Sequence, residues 1–272
     1  MTQRSGATAT GSPVAGAATH AVYVYGVVRA SAAPDAFPDG VAGGESPVRL
    51  LEHGDLAVVA SDVPVGWQAA TRADVEAHEH VLSSLVEQWT VVPMRFGVVL
   101  DSEEAAREIL LGRYEADVRA LLTRLDGHVQ MSVKAYYGEE SLLRQVLKQH
   151  PELKRRSDAL EGMSMAGSQQ ERIALGQDVA NAVEAQRAHD EQTLAAPLAA
   201  AAAEVSLEPL RSDRLALNAQ LLVARERRAD VDAAVERLTR EFGEQFAFRY
   251  VGPLAPYSFS DLALDAQEDP WG

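Results

Sequence analysis

The sequence predicts an α+β fold in which strands and helices alternate as strand–helix–strand, the order typical of ferredoxin-like layers. Two patterns indicate this fold class. Short runs rich in β-branched and aromatic residues have the character of strands, and longer stretches between them repeat apolar residues at helical spacing. A chain of 272 residues is long enough for one large domain or two modest ones, each with its own core. The order of the segments favours two α+β units.

The first unit is predicted to begin with two strands followed by a helix. Residues 21–28, AVYVYGVV, are β-branched and aromatic, and residues 56–63, LAVVASDV, have a similar composition. Residues 31–47 between them are dense in Pro and Gly and predict a loop. Thr71 is the predicted N-cap of the helix, with Asp74 at the N3 position. The apolar stripe of this helix consists of Val75, His78, Leu82, Leu85, Val86 and Trp89.

Residues 90–100, TVVPMRFGVVL, predict the next strand and contain a single charged residue, Arg95. Alternation along one strand places Arg95 opposite the apolar face, between Pro93 and Gly97, which lack bulk. A half-buried guanidinium needs a partner. Two alternatives stay open: an intramolecular salt bridge, which we favour, and a docking point for another protein. The apolar face predicted for this strand consists of Val92, Met94, Phe96, Val98 and Leu100.

A second helix and a further strand are predicted before the middle of the chain. Asp101 and Glu104 form a capping-box pattern, and Gly127 suits the end of the helix. Residues 128–137, HVQMSVKAYY, alternate as a strand. The face predicted to be buried consists of Val129, Met131, Val133 and Ala135.

The second half of the chain is predicted to be helical at first and then to repeat the strand–helix–strand order. Residues 139–208 are polar and helical with a thin apolar pattern, so we expect them to lean on the sheets rather than to form a core of their own. Residues 214–224 alternate as a strand, a helix ends at Gly243, and residues 245–251 form a last strand. The remaining residues are rich in Pro and acidic side chains.

These segments predict four divisions of the chain. Residues 1–19 are small and polar and predict a disordered tail. An N-terminal α+β domain is predicted over residues 20–127, and a C-terminal α+β domain over residues 128–252, which includes the helical segment 139–208. Residues 253–272 are predicted to form a C-terminal tail.

Composition excludes several classes of function. The net charge of −15 disfavours binding to nucleic acid or to anionic lipid, since both need Lys and Arg. Cysteine is absent, so the sequence offers no disulfide, no thiolate nucleophile and no Cys-based metal site, which fits the cytoplasm. The longest apolar candidate, residues 194–205, is shorter than a membrane span.

The residues that bear chemistry do not assemble into a known catalytic motif. In EAHEH, residues 76–80, His78 and His80 are two positions apart and point to different sides of a helix, so a buried, hydrogen-bonded His78 is favoured over a metal ligand. Neither a phosphate-binding loop nor a G-x-S-x-G motif occurs. These residues therefore indicate no cofactor or metal site and give no support for an enzyme activity. A small-molecule-binding or catalytic α+β domain remains the alternative, and it requires a pocket with convergent polar groups.

Two separated motifs resemble the GvpF/GvpL family of gas vesicle proteins over roughly residues 21–262. The family's first motif is similar to VVPMRFG, which here follows a strand containing YVYGVV and a helix containing AHEHV. The family's closing signature is similar to RYVGPLAPYSFSDL. His78 matches a histidine common in the family, whereas Leu254 and Ala255 stand where the family usually has Trp and Pro. The residues that match and are candidate partner contacts are Pro93, Arg95, Phe96, Gly97, Gly252, Pro253, Pro256, Tyr257 and Phe259; Ser258 also matches.

The resemblance implies a non-enzymatic protein of gas vesicle formation in the cytoplasm, associated with gas vesicles. It would be a minor structural component or an assembly factor that binds the major shell protein GvpA, and it would also contact other gas vesicle accessory proteins. A further hypothesis is that it only regulates or recruits those accessory proteins. The family's fold implies two α+β domains, of which the C-terminal one is a modified ferredoxin-like unit. Arg95 and the segment with Tyr257 and Phe259 are the candidate contact points.

Overall fold

The computed structural model describes residues 20–262 except residues 33, 35, 69–70, 139–140, 162 and 164. The tail predicted over residues 1–19 and the last part of the C-terminal tail, residues 263–272, lie outside the described residues. The predicted α+β class is confirmed, because two antiparallel sheets are each covered by helices. Within the described residues, no helix has both the length and the apolarity needed to cross a membrane.

The first sheet is formed by five strands in the order β2-β3-β1-β4, with β5 also paired to β1. All of these pairings are antiparallel. The single helix within this set follows β3. The elements are β1 (His20–Arg29), β2 (Arg49–His53), β3 (Leu56–Pro64), α1 (Arg72–Val86), β4 (Val91–Pro93) and β5 (Val99–Leu100).

Helices cover both faces of the first sheet. On one face lies α1, and on the other lies a continuous helical stretch of α2 (Glu103–Ala106), a π-helical segment (Arg107–Arg113) and α3 (Glu115–Arg124). Because both faces are covered, β1 is buried at every position from Ala21 to Val28. This explains why its sequence is apolar throughout rather than alternating.

The predicted helix caps are correct for one helix and displaced for the other. Thr71 and Asp74 form the capping box of α1. The next helix is capped by Ser102, whose hydroxyl accepts from the backbone N–H of Ala105, and not by Asp101 as predicted. In α1 the predicted stripe is correct except at its ends, because Val75 is exposed and Trp89 lies beyond the last turn.

The second sheet has the strand order β7-β8-β6-β9, again antiparallel throughout. Together with its helices it has the β-α-β-β-α-β order of a ferredoxin-like unit. Its core lies between the inner face of the sheet and two helices, α7 and the last turns of α6. The elements are β6 (His128–Tyr137), α4 (Ser141–Gln149), α5 (Pro151–Glu161), α6 (Met165–Ala201), β7 (Glu204–Leu207), β8 (Leu215–Ala224), α7 (Arg228–Phe242) and β9 (Phe246–Leu254).

The helical middle leans on the second sheet only in part. Leu194 and Leu198 in the last turns of α6 belong to the core of that sheet, as expected. However, α4, α5 and α6 also pack on one another, and they bury Val146, Leu153 and Leu160 outside the sheet core. The segment therefore leans on the second sheet through the end of α6, as expected, while its other helices pack on one another. Its predicted helical range ends too late, since β7 occupies its last residues.

Candidate functional site

The stretch predicted as one strand over residues 90–100 is broken in its middle. β4 pairs Pro93 with Gly26, and β5 pairs Val99 with Tyr23 on the same strand β1. Five residues, 94–98, therefore lie opposite only two residues of β1. The additional residues form a loop that turns at Gly97, whose φ of 97° is in the region that favours glycine. The prediction of a continuous strand is wrong here.

The break changes the predicted arrangement of side chains. Phe96 was predicted to share a face with Val92, but it packs on the opposite, α1 side of the sheet. Val91 and Val99, predicted on the face of Arg95, are also packed against α1. Both faces of this stretch are thus apolar, and its most exposed residue is Arg95 in the loop between the two strands.

Arg95 lies in that loop and is exposed rather than half-buried. Its guanidinium is 3.5 Å from a carboxylate oxygen of Asp261, and the two side chains are 84% and 86% exposed. An intramolecular partner therefore exists, but an ion pair surrounded by water contributes little to stability. The expectation that Arg95 is a half-buried group needing a partner is wrong.

Around the break, side chains of three distant segments and the backbone N–H of a fourth form one hydrogen-bonded chain. His78 in α1 is fully buried, with Nδ1 2.8 Å from the hydroxyl of Tyr23 and Nε2 2.9 Å from the hydroxyl of Tyr257. The Tyr257 hydroxyl donates to Glu79 Oε1 at 3.2 Å, and the Gly97 N–H donates to the Tyr23 hydroxyl at 3.1 Å. We call these five residues the signature junction.

The chemistry of these groups fixes the direction of each hydrogen bond. Because the proton of Tyr257 goes to Glu79, the oxygen of Tyr257 accepts from the Nε2–H of His78. Nδ1 of neutral His78 is then an acceptor and receives the proton of Tyr23, whose oxygen accepts from Gly97. Every donor in the chain has an acceptor when His78 is neutral. The buried, hydrogen-bonded histidine predicted from the sequence is confirmed.

Burial keeps the junction uncharged at His78 and at both tyrosines. Desolvation lowers the pKa of His78 to about 4, although a hydrogen bond with the backbone of Met94 acts in the opposite direction. Desolvation also raises the pKa of Tyr23 and of Tyr257, and the nearby carboxylate of Glu79 raises that of Tyr257 further. The ring of His78 is enclosed by Tyr25, which stacks at 5.6 Å, and by the edge-on ring of Phe96 at 5.7 Å.

The closing signature passes between the two sheets rather than forming a free tail. Residues 253–262, predicted to belong to a C-terminal tail, complete β9 and then pack as a crossing segment. Ala255 joins the cluster on the α1 side of the first sheet, and Phe259 joins the cluster on its α3 side. Ser258 donates its backbone N–H to the side chain of Gln130 on β6 at 3.0 Å. This segment therefore holds the two sheets together.

Gly252, at the start of this crossing, lies against β6. Its φ is 154°, and a Cβ at this position would be 2.5 Å from Sδ of Met131 and 3.1 Å from the backbone oxygen of Gln130. The peptide bond to Pro253 is cis. A larger residue would force the end of the Met131 side chain to move and would adopt a positive φ, so the position favours glycine.

Most of the candidate partner contacts are internal. Pro93, Gly97, Pro256 and Phe259 are buried, and Phe96, Pro253 and Tyr257 are half-buried, whereas Arg95 and Gly252 are exposed. The structure brings both motifs together, but it places most of their side chains inside the joint between the sheets.

Sequence reasoning missed several groups that tie the two units. Arg225 donates to the backbone oxygens of Val86 and Trp89, at 3.2 and 2.6 Å, at the end of α1. Arg124 pairs with Glu204 of β7 at 2.6 Å. Arginines in a charged stretch resemble solvated surface residues, so no local signal identified Arg225. Among the described residues, no group of three or more His, Asp and Glu side chains is arranged to hold a metal.

Comparison with known proteins places this fold among gas vesicle proteins. The model of the family "Gas vesicle synthesis protein GvpL/GvpF" matches residues 21–261. A gas vesicle protein F of Streptomyces sp. (strain CB03234) is 35% identical over 240 residues, 87% of this chain and 98% of that protein. A gas vesicle protein L of the same strain is 37% identical over 127 residues, 42% of this chain and 47% of that protein. The crystal structure of GvpF from Anabaena sp. PCC7120 is similar with a TM-score of 0.81 and 25% identity, covering 90% of this chain and 100% of that one. These proteins are named as gas vesicle proteins and not as enzymes.

Proposed function

The chain belongs to the gas vesicle synthesis protein GvpL/GvpF family and acts in gas vesicle formation, and we propose that it is an assembly factor or minor structural component that binds the shell protein GvpA. The observation that supports this proposal is the family match over residues 21–261, together with a closing signature that packs between the two sheets. We place its action in the cytoplasm, in association with gas vesicles and their accessory proteins.

The charge of the chain suits this role. The shell protein implied by the family resemblance is small and hydrophobic, and it would aggregate if left uncovered. A helper with a net charge of −15 keeps a complex with such a partner in solution, because like-charged complexes repel one another.

The exposed part of the joint is the proposed contact point for the shell protein. Arg95 and Asp261 form a weak, solvated pair, so a partner can replace either group at little cost. Arginine is also enriched among residues that dominate binding energy. The buried members of the signature, Pro93, Gly97, Pro256 and Phe259, hold this surface in place and do not themselves meet the partner.

Binding of purified GvpA to this protein tests the proposal. We expect Arg95→Ala to weaken binding and to leave the thermal midpoint unchanged, since the side chain is solvated. The matched control is Arg72→Ala, which removes an arginine from a similarly exposed pair with Glu76 on α1 and should leave binding intact. If Arg95→Ala binds GvpA as well as the wild type does, the proposed contact at Arg95 is refuted, but binding of GvpA elsewhere on the protein is not.

Two further results bear on the proposal as a whole. Absence of GvpA binding by the wild-type protein, together with normal vesicles in a deletion strain, would rule it out. Recovery of accessory proteins instead of GvpA would favour recruitment as the function. Washing isolated vesicles separates the two remaining roles, because a structural component stays with the vesicle and an assembly factor is removed.

A further inference from the structure

A groove lies beside the second sheet, away from the signature junction. One wall is formed by α4 and α6, and the other by the end of β7 and the loop that follows it. The groove has a volume of about 1330 Å³, which exceeds the ~300–1000 Å³ typical of small-molecule pockets. None of the junction residues lines it. Its size therefore favours a segment of a macromolecule as the occupant.

Apolar side chains face the groove from both walls. Leu143 on α4 and Leu207 at the end of β7 are 48% and 47% exposed, which is unusual for leucines in a chain that buries most of its large apolar residues. Leu142, Val183 and Leu210 extend the same lining. Covering these side chains removes apolar surface from water, which favours binding of an apolar partner face.

The walls are held in place without an occupant. Arg187 on α6 is only 11% exposed and donates to three backbone oxygens of the opposite wall, those of Ser212, Asp213 and Leu215, at 3.3, 2.9 and 3.4 Å. The groove is thus preformed, and binding does not have to order this loop.

A buried polar cluster supports the floor of the groove. The hydroxyl of Tyr137 donates to one oxygen of Asp190 at 2.9 Å, and the amide of Gln186 donates to the other at 2.7 Å. All three side chains are buried, so they fix α6 to the end of β6 at Tyr137, which lines the groove.

The charge around the groove selects the kind of partner. Four carboxylates line it, whereas the arginines that line it among the described residues are Arg214 and Arg187. Arg187 is already engaged by backbone oxygens and is 4.0 Å from the carboxylate of Asp213. The excess negative charge favours an occupant with lysine or arginine beside its apolar face. The carboxylates belong to Glu184, Glu191, Glu208 and Asp213.

The shape of the wall favours a helix over a strand. The residues of α6 that line the groove, Ala180, Val183, Glu184, Arg187, Ala188 and Glu191, recur every three to four positions and form one ridge, against which another helix packs. Strand addition at β7 is disfavoured, because β7 has four residues and Glu204 at its start.

We propose that this groove binds an amphipathic α-helix of the shell protein, with its apolar stripe against the leucines and its lysines or arginines beside the carboxylates. The inference rests on the proposed function, since it names the surface by which the shell protein is held. It adds a second contact region that lies apart from Arg95.

Binding of purified GvpA to the full-length protein and its variants tests the groove. We expect Leu143→Glu and Leu207→Glu each to weaken binding at least about tenfold, because a charge replaces a leucine that the helix covers. Ile173→Glu is the matched control, since Ile173 is a large apolar residue on α6, is 66% exposed and does not line the groove. It should bind within about twofold of the wild type. Circular dichroism of each variant establishes that the fold is retained.

A synthetic helical peptide separates failure of the groove from failure of the proposed function. The probe is an 18-residue amphipathic helix with a leucine stripe flanked by lysines, and its control has glutamates in place of the lysines (about five turns in each case). We expect the lysine peptide to bind the wild type, to lose binding to Leu143→Glu and to keep it to Ile173→Glu.

The outcomes are distinct. If the wild type binds GvpA and both groove variants bind it equally well, the groove inference is overturned and the proposed function stands. If the wild type does not bind GvpA, the proposed function fails and the lysine peptide decides the groove. If the lysine peptide binds the wild type but not Leu143→Glu, a helix-binding groove is supported. If the lysine peptide does not bind the wild type, or binds Leu143→Glu equally well, the groove inference is overturned.

Discussion

Acidification from pH 7 to pH 4 should destabilise the protein through His78. The pKa of this side chain is 6.5 in the unfolded chain and about 4 in the fold. Above pH 6.5 the side chain is neutral in both states and its contribution to stability is complete. Between pH 6.5 and pH 4 His78 is protonated in the unfolded chain but stays neutral in the folded protein, so the free energy of unfolding decreases as the pH is lowered. A difference of roughly 2.5 pH units, at about 1.4 kcal/mol per unit, gives a loss of about 3 kcal/mol.

The hydrogen-bonded chain gives the physical reason for this loss. A proton on Nδ1 would make His78 a donor to the Tyr23 hydroxyl, whose own proton would then need another acceptor inside the core. The variant His78→Gln retains a donor and an acceptor but cannot be protonated in this range.

Urea denaturation of the wild type and of His78→Gln at a series of pH values measures the effect. We expect the wild type to lose about 3 kcal/mol more than the variant between pH 7 and pH 4. Carboxylates with lowered pKa values, such as Glu103 beside Arg49, titrate in both proteins. Their contribution to the pH dependence of the unfolding free energy is therefore the same in both and cancels in the comparison. If the two proteins lose stability in parallel over this range, His78 is not held neutral and the direction assigned to the chain is wrong.

Three other substitutions test the joint between the sheets, each by urea denaturation at pH 7. Tyr257→Phe removes the acceptor of the buried His78 Nε2–H and should cost about 1–3 kcal/mol; no change would show that the chain is not formed. Gly252→Ala should destabilise by at least about 1 kcal/mol through its clash and positive φ, whereas Gly176→Ala, in an open position of α6, should stabilise by up to about 1 kcal/mol. Arg225→Met leaves two backbone oxygens at the end of α1 without their donor and should cost about 1–3 kcal/mol; a neutral result would contradict that tie.

Local patterns were sufficient to predict the elements that depend on local interactions. The cap of α1 at Thr71 depends on residues three positions apart, and burial of His78 follows from its place in a helical stripe. The alternation of residues 128–137 identifies the buried face of β6, since period 2 holds along an unbroken strand.

Tertiary features could not be predicted in the same way. Alternation along residues 90–100 assumed an unbroken strand, but Gly97 adopts a positive φ and Phe96 packs on the face opposite to the one predicted, whereas Met94 and Val98 lie on the predicted face. The neighbour of Arg95 is Asp261, and the partners of His78 are Tyr23 and Tyr257, all distant in sequence. No periodicity relates such residues, because their proximity arises only when the two sheets pack together.

The packing of the closing segment has a consequence for synthesis of the chain. Both clusters of the first sheet are completed by residues from the far end of the sequence, Ala255 on one side and Phe259 on the other. Tyr257 emerges from the ribosome 179 residues after His78, which at about 5–20 residues per second is a delay of roughly ten to forty seconds. During that interval the buried histidine lacks one of its two partners and both clusters are open to water. A nascent or truncated chain therefore cannot present the finished joint, and only a completely translated molecule displays the surface around Arg95.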